Sequence, residues 1–249
     1  MTLKSVVCFF AHPDDETILA GGIIALLASQ GIAVQVVCAT RGEGGEVGDP
    51  PVATRLTLGQ VRESELRCAV RALGASLTVL DYVDPTIGPD DILFPFQADF
   101  NTLAGQLADI ARRLRADVVL THGADGEYGH PAHQLMHRAV MRAIPYTLPN
   151  TLIYTVAATV STIEDRLWNK SEPAHLALDI RPWGEQKIAA MECHVSQSAL
   201  FKRRRDLKTV RDALRSTESV RRAYPDTHGE PPNDDFARFL KMAGAWTPQ

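Results

Sequence analysis

Several protein classes are excluded by what this sequence lacks. Only four cysteines occur among its 249 residues (Cys8, Cys38, Cys68 and Cys193), and none form a C-x-x-C pair. That excludes a zinc ribbon and a disulfide-rich secreted scaffold, and it predicts reduced thiols in a cytoplasmic protein. The longest apolar run, residues 18–28, is far short of the ~20 residues that cross a bilayer. Residues 1–10 are short and strand-like and lack a small-residue cleavage site, so no export signal is expected. There is no G-x-S-x-G elbow to support a serine hydrolase, and no internal repeat. Neither sign of charge dominates: 26 basic and 30 acidic side chains leave a net charge of −4, which argues against a dedicated nucleic-acid binder. What remains, 45% hydrophobic and 22% charged residues, is ordinary globular composition with ample material for one α/β domain.

Hydrophobic patterning supplies the architecture. Continuous apolar runs at 6–10, 33–39, 77–82, 117–121, 152–157 and 174–180 read as strands buried on both faces. Helical spacing fills the intervals at 17–30, 61–73 and 98–115, and Pro131 opens a further helix in the first-turn position that suits proline. The alternation predicts a Rossmann-like, doubly wound, mainly parallel sheet with helices on both faces. One domain spans 1–249, with 185–249 expected as a helical carboxyl-terminal extension: helices at 185–193 and 199–216, a linker over 225–233, and a short terminal helix. A long loop rich in glycine, acid and proline covers 40–59, and such loops in compact domains are usually functional or disordered.

Two histidine motifs stand at strand ends. The first, Ala11-His12-Pro13-Asp14-Asp15-Glu16, occupies the place where a dinucleotide-binding protein has G-x-G-x-x-G. Its proline and three acids would repel a pyrophosphate. Acids in a first helical turn offset the dipole, but that leaves His12 and the duplicated aspartate unexplained. The second motif, Asp125-Gly126-Glu127-Tyr128-Gly129-His130-Pro131-Ala132-His133, follows the fourth strand. His133 falls on the inward face of the helix, with His137 one turn on as a rival. Strands one and four are neighbours in the usual winding, so the two motifs meet in the crevice at their carboxyl ends. Two imidazoles and a carboxylate with open positions suit a catalytic zinc, and the same set accommodates ferrous iron.

At these residues the chain resembles the LmbE-like, or PIG-L, family of zinc-dependent de-N-acetylases, which act mainly on N-acetylglucosaminyl conjugates. The resemblance covers AHPDDE at 11–16, TRGEGGEVGD at 40–49, VRESELRCAVRALG at 61–74, GEYGHPAH at 126–133 and KIAAMECHVSQ at 187–197. It implies a small-molecule substrate, metal ligation by His12, Asp15 and His133, and Asp14 as general base. It further implies His130 as the group that stabilises or protonates the reacting atoms, with Tyr128 assisting at the oxyanion. Glu43, Glu46, Arg62, Asp84 and His194 become expected substrate contacts. One departure is Ala132, where many relatives carry aspartate; Asp125 is the expected replacement partner for His130. Alternatives are a non-sugar hydrolase or hydratase of the same family and a non-catalytic binding module. The latter would rest on the basic stretch 202–222, which lacks an aromatic stacking platform and reads as a solvated helix face. Neither nucleic acid nor membrane is an expected partner; a homo-oligomer is compatible with that basic face.

Overall fold

Strand β1 (Ser5–Phe10) sends alternate side chains into two separate cores, and this dictates the layers. In a computed structural model describing residues 3–158, 169, 171–203 and 206–248, the elements after β1 run in the following order. They are α1 (Asp15–Ser29), β2 (Ala33–Thr40), α2 (Leu58–Ala72), β3 (Ser76–Tyr82), α3 (Phe100–Arg113), β4 (Val118–Thr121) and the single turn α4 (Gly126–Gly129). Then come α5 (Pro131–Thr147), β5 (Leu152–Val156), β6 (Leu176–Asp179), α6 (Gly184–Cys193), α7 (Ser198–Arg203), β7 (Thr217–Tyr224) and α8 (Asp235–Met242). Val6, Cys8 and Phe10 join the core built with α1, α2 and α6, whereas Val7 and Phe9 join the one built with α3 and α5. The sheet order is β3-β2-β1-β4-β5-β7-β6. The first five strands are parallel, and β1 pairs with β4 from Val6↔Val118 to Phe9↔Thr121, so the two motif-bearing turns leave adjacent strand ends. The doubly wound expectation holds.

The carboxyl-terminal reading needs correction. The single helix expected over 199–216 is not found: α7 is Ser198–Arg203, the described residues from 206 to 216 are not α-helical, and Thr217–Tyr224 is a strand, inserted antiparallel between β5 and β6. Its buried positions alternate, as a strand requires, but one of them is Glu218. That carboxylate is accommodated by Lys187, 2.6 Å away, and by the N–H groups of Gly22 and Ile23, both at 2.8 Å. A charge at an inward position hid the strand's hydrophobic face. The basic stretch is therefore not one continuous helix face.

A second correction concerns the cysteines. Cys68 of α2 and Cys193 at the end of α6 are bonded, with Cα atoms 5.7 Å apart; Cys8 and Cys38 are free and buried. The partners lie 125 residues apart, so no local spacing announces them; packing of α6 on α2 brings them together. The reduced-thiol argument for a cytoplasmic location falls for this pair. Among the described residues no helix is long and apolar enough to cross a membrane.

His175, just before β6, gives the fold an acid-sensitive point. Burial, then Arg221 and Arg222, push its pKa down to about 4, against the pull of Asp226. The folded value lies below the unfolded ~6.5, so this group's contribution is intact above ~6.5 and is lost as the pH falls toward the folded value. Urea unfolding of His175→Gln should show a smaller stability loss between about pH 7 and pH 4 than the parent chain. Identical losses would remove His175 as a source of acid lability.

Candidate metal centre

The turn after β1 is held from several sides. Thr40 Oγ1 donates to the Ala11 carbonyl at 3.0 Å, and His12 N donates to Asp15 Oδ2 at 2.8 Å. Arg62, 3% exposed, donates through Nη2 to the Pro13 carbonyl (2.5 Å) and through Nη1 to the Gly42 carbonyl (2.9 Å), with Asp14 Oδ2 at 3.3 Å from Nη2. Glycine is required around it: a Cβ at Gly42 or Gly45 would lie 2.3 or 2.2 Å from the guanidinium. Arg62 thus anchors the turn through its terminal nitrogens, which meet backbone carbonyls and Asp14.

Three side chains converge where the β1 and β4 turns meet. His12 Nδ1 and His133 Nε2 are 3.2 Å apart; the two Asp15 oxygens lie 3.4 Å from the former and 3.3 Å from the latter. Each imidazole meets a different Asp15 oxygen, so the three side chains lie close enough to share one divalent ion. His130 also groups closely with His12 and His133, and His122 with Asp15 and His133. Three buried donors of this kind, two imidazoles and a carboxylate, are those a divalent transition metal prefers. Without an ion, burial opposes charge on both imidazoles, yet Asp84 and Asp15 raise His12 to about 9, and Asp15 and Glu127 raise His133 to about 10. Burial alone would raise Asp15, but His133, His12 and His122 hold its carboxyl well below the usual range.

His122, directly after β4, also approaches Asp15 and His133. Its Nε2 accepts the Ala11 N–H at 3.0 Å, and Nδ1 lies 2.8 Å from Glu127 Oε2. With the Nε2 lone pair already used, it is a structural neighbour of the three. His137, the rival from the helix, directs Nδ1 to the His122 carbonyl at 2.9 Å instead.

Asp14 takes the left-handed backbone conformation, φ 110°, with its N–H given to Glu16 Oε2 at 3.0 Å. It is more open to solvent than Asp15, and burial pushes it up to about 6 against Arg62. His130 caps α5: its Nδ1 accepts the Ala132 N–H at 3.2 Å, which leaves Nε2 as the protonated nitrogen. Its ring stacks on His133 at 4.5 Å, and burial, then His133 and His12, lower its pKa far below the usual range. Tyr128, 40% exposed, sets its ring 5.5 Å from His130 and 5.6 Å from His133. Asp125 does not partner His130; its carboxylate accepts from Ser171 N at 2.9 Å.

The remaining expected contacts divide. Asp84 Oδ1 lies 3.2 Å from His12 Nε2, behind the ring, and Glu43 reaches Asp84 N at 3.0 Å. Glu46 forms a bidentate pair with Arg203, both bonds 2.9 Å. His194 is fully buried and bonded to Glu16 Oε1 at 3.0 Å, behind the Asp14 turn. Two residues escaped the sequence reading, His122 and Glu127. A signal existed: His122 follows β4 much as His12 follows β1, and Glu127 sits inside the second motif.

The sequence model of the family described as GlcNAc-PI de-N-acetylase (PIG-L) matches residues 7–144, which build all of the converging groups. The 1D-myo-inositol 2-acetamido-2-deoxy-alpha-D-glucopyranoside deacetylase of Acidothermus cellulolyticus is 32% identical over 240 residues, 80% of this chain and 81% of that protein. The probable N-acetyl-alpha-D-glucosaminyl L-malate deacetylase 2 of Bacillus cereus is 29% identical over 98% of this chain and 97% of its own length. The chain spans about half the length of several other relatives with the first of these names. Among solved structures, the 4-carboxy-2-hydroxymuconate hydratase GalB of Pseudomonas putida KT2440 superposes with a TM-score of 0.62 at 26% identity, covering 90% of this chain and 98% of that one. Motifs, fold and matches agree, and the chain belongs to the PIG-L, or LmbE-like, family of de-N-acetylases.

Proposed function

We propose that this protein is a zinc-dependent hydrolase that removes the acetyl group from an N-acetylglucosaminyl conjugate. The observation that carries the reading is the close approach of His12, Asp15 and His133 to one another beside the more open carboxylate of Asp14. The names of two relatives, an inositol and a malate conjugate of the acetamido sugar, supply the substrate class. Two imidazoles and a carboxylate brought together suit zinc, with ferrous iron as the competing occupant.

A divalent ion held there would polarise the acetamide carbonyl and bring a water's pKa toward ~7. Asp14, the neighbour of ligand Asp15, accepts the proton of the attacking water. His130 holds its proton on Nε2 because the Ala132 N–H occupies Nδ1, so it donates to the oxyanion as charge develops. Tyr128 lines the same opening and assists there. The proton taken by Asp14 is then available to the departing amine, while neutral His130 keeps its Nε2–H for the oxyanion.

Acetate release provides the test, run on N-acetylglucosaminyl inositol and malate conjugates before and after chelation. Equal amounts of acetate and free amine, abolished by the chelator and restored by zinc, are expected. The hydratase relative, at 26% identity, favours a second reading in which water adds to an unsaturated acid. Hydration of such an acid without acetate from any conjugate would replace the first reading by the second.

A further inference from the structure

One buried carboxylate near the converging groups has no part in the chemistry above. Glu127 is 2% exposed and takes φ 59°, ψ −66°, a backbone conformation costly for any residue with a side chain. Nothing in a surface turn would keep a glutamate there. Its contacts explain it. Oε2 meets Nδ1 of His122 at 2.8 Å and Nδ1 of His133 in a short contact, while Oε1 accepts from Gly123 N at 2.9 Å and from Asn169 Nδ2 at 3.2 Å. The Glu127 N–H donates back to Asn169 Oδ1 at 3.0 Å. Asn169 is itself fastened by a bond from Nδ2 to the Val156 carbonyl at 2.8 Å. Its amide occupies the space a side chain at residue 123 would need: a Cβ on Gly123 would stand 2.1 Å from Asn169 Cγ.

We propose that Glu127 is the positioning residue of the metal centre, a carboxylate clamp that sets two histidine tautomers at once. A carboxylate only accepts, so both imidazoles must present Nδ1–H to Oε2. With a metal bound, that would leave Nε2 of His133 as the coordinating nitrogen beside Asp15, and it leaves Nε2 of His122 as the acceptor that pins the Ala11 N–H at the end of β1. One side chain thus aims a ligand from the β4 side and fastens the turn that carries His12 on the β1 side. Asn169 and Gly123 keep the clamp from rotating, and Asn169 lies beyond residues 7–144, the span matched by the family's sequence model. Partners of this kind behind ligating histidines raise metal affinity by about 10–100-fold.

Glutamine at 127 cannot serve. Either its amide nitrogen faces the two histidines and reverses their tautomers, or it faces the Gly123 and Asn169 donors. The inference rests on the metal reading, and its test separates the two. Zinc affinity is measured by chelator competition on the parent chain, Glu127→Gln and Asn169→Ala, with the Nδ1–H resonances of the zinc-loaded proteins recorded by 15N NMR. Glu127→Gln should bind zinc about 10–100-fold more weakly and lose the deshielded Nδ1–H signals of His122 and His133. Asn169→Ala, which leaves every histidine and the carboxylate in place, should weaken binding several-fold and carries the test alone if the first variant does not fold. Parental affinity in a folded Glu127→Gln, or in Asn169→Ala where that variant stands alone, would overturn the clamp while leaving the metal centre intact. Absence of zinc binding by the parent chain would overturn both.

Discussion

Asp14→Asn should lower kcat by about 10²–10⁴-fold while the protein keeps its metal. Asparagine preserves the shape of the side chain and tolerates the left-handed backbone found at Asp14, φ 110°. It also retains an oxygen toward Arg62, so the turn carrying His12 and Asp15 stays anchored through Pro13 and Gly42. What it loses is the proton acceptor. His12→Ala or His133→Ala should instead remove metal and turnover together, because each takes away one of the three side chains that converge on the candidate site. Metal content measured beside kcat separates the two kinds of loss; a fully active Asp14→Asn protein would end the general-base assignment. Asp14→Gly adds a diagnostic, since it relieves the backbone cost while abolishing the chemistry. It should melt no lower than the parent and be inactive, the signature of strain kept for function.

Reducing the Cys68–Cys193 bond is expected to have the largest effect on stability. The bond closes a loop of 125 residues, and loops of about that size are worth up to ~4–5 kcal/mol of restricted unfolded-chain entropy, native bridges typically 2–5. For a domain of this length each kcal/mol moves Tm by about 2–4 °C, so a fall of about 10 °C is expected on treatment with reductant. Cys68 is exposed and Cys193 half-buried, so the reagent has access. Cys68→Ser should melt where the reduced parent does and ignore reductant. Activity at 25 °C should survive, because Glu65 still holds Ser196 through two bonds of 2.8 and 2.6 Å and Arg62 still holds the turn. Equal melting of oxidised and reduced protein would show that the bridge contributes nothing.

Legibility in the sequence followed from how local each signal was. The parallel half of the sheet was readable because its strands are buried on both faces and so continuously apolar, and the His12 and His133 motifs because each lies within one turn. Strand β7 was not, since its inward Glu218 makes sense only once Lys187 and the N–H groups of α1 are known to surround it. The bridge, with partners 125 residues apart, left no trace in spacing. Arg62 and His194 were recognised as belonging near the site, but whether a polar group faces ligand or backbone depends on the rotamers of loops far away in the chain. Glu127 lay in plain view inside the second motif. Its meaning required His122, which is one residue past a strand end that periodicity locates only approximately.

The place of β7 in the sheet also dictates an order of events during synthesis. The five strands β3-β2-β1-β4-β5 can assemble as soon as residue 156 has emerged, and they already hold His12, Asp15 and His133. Strand β6 has no seat of its own: among the described residues its strand partner is β7, some forty residues later, which must first dock on β5. Until then β5 offers an open edge and β6 a loose apolar segment, the features that invite pairing between chains. A nascent chain stalled or cut before Thr217 would therefore carry the assembled ligands on an unfinished sheet and would be recognised by chaperones as incomplete.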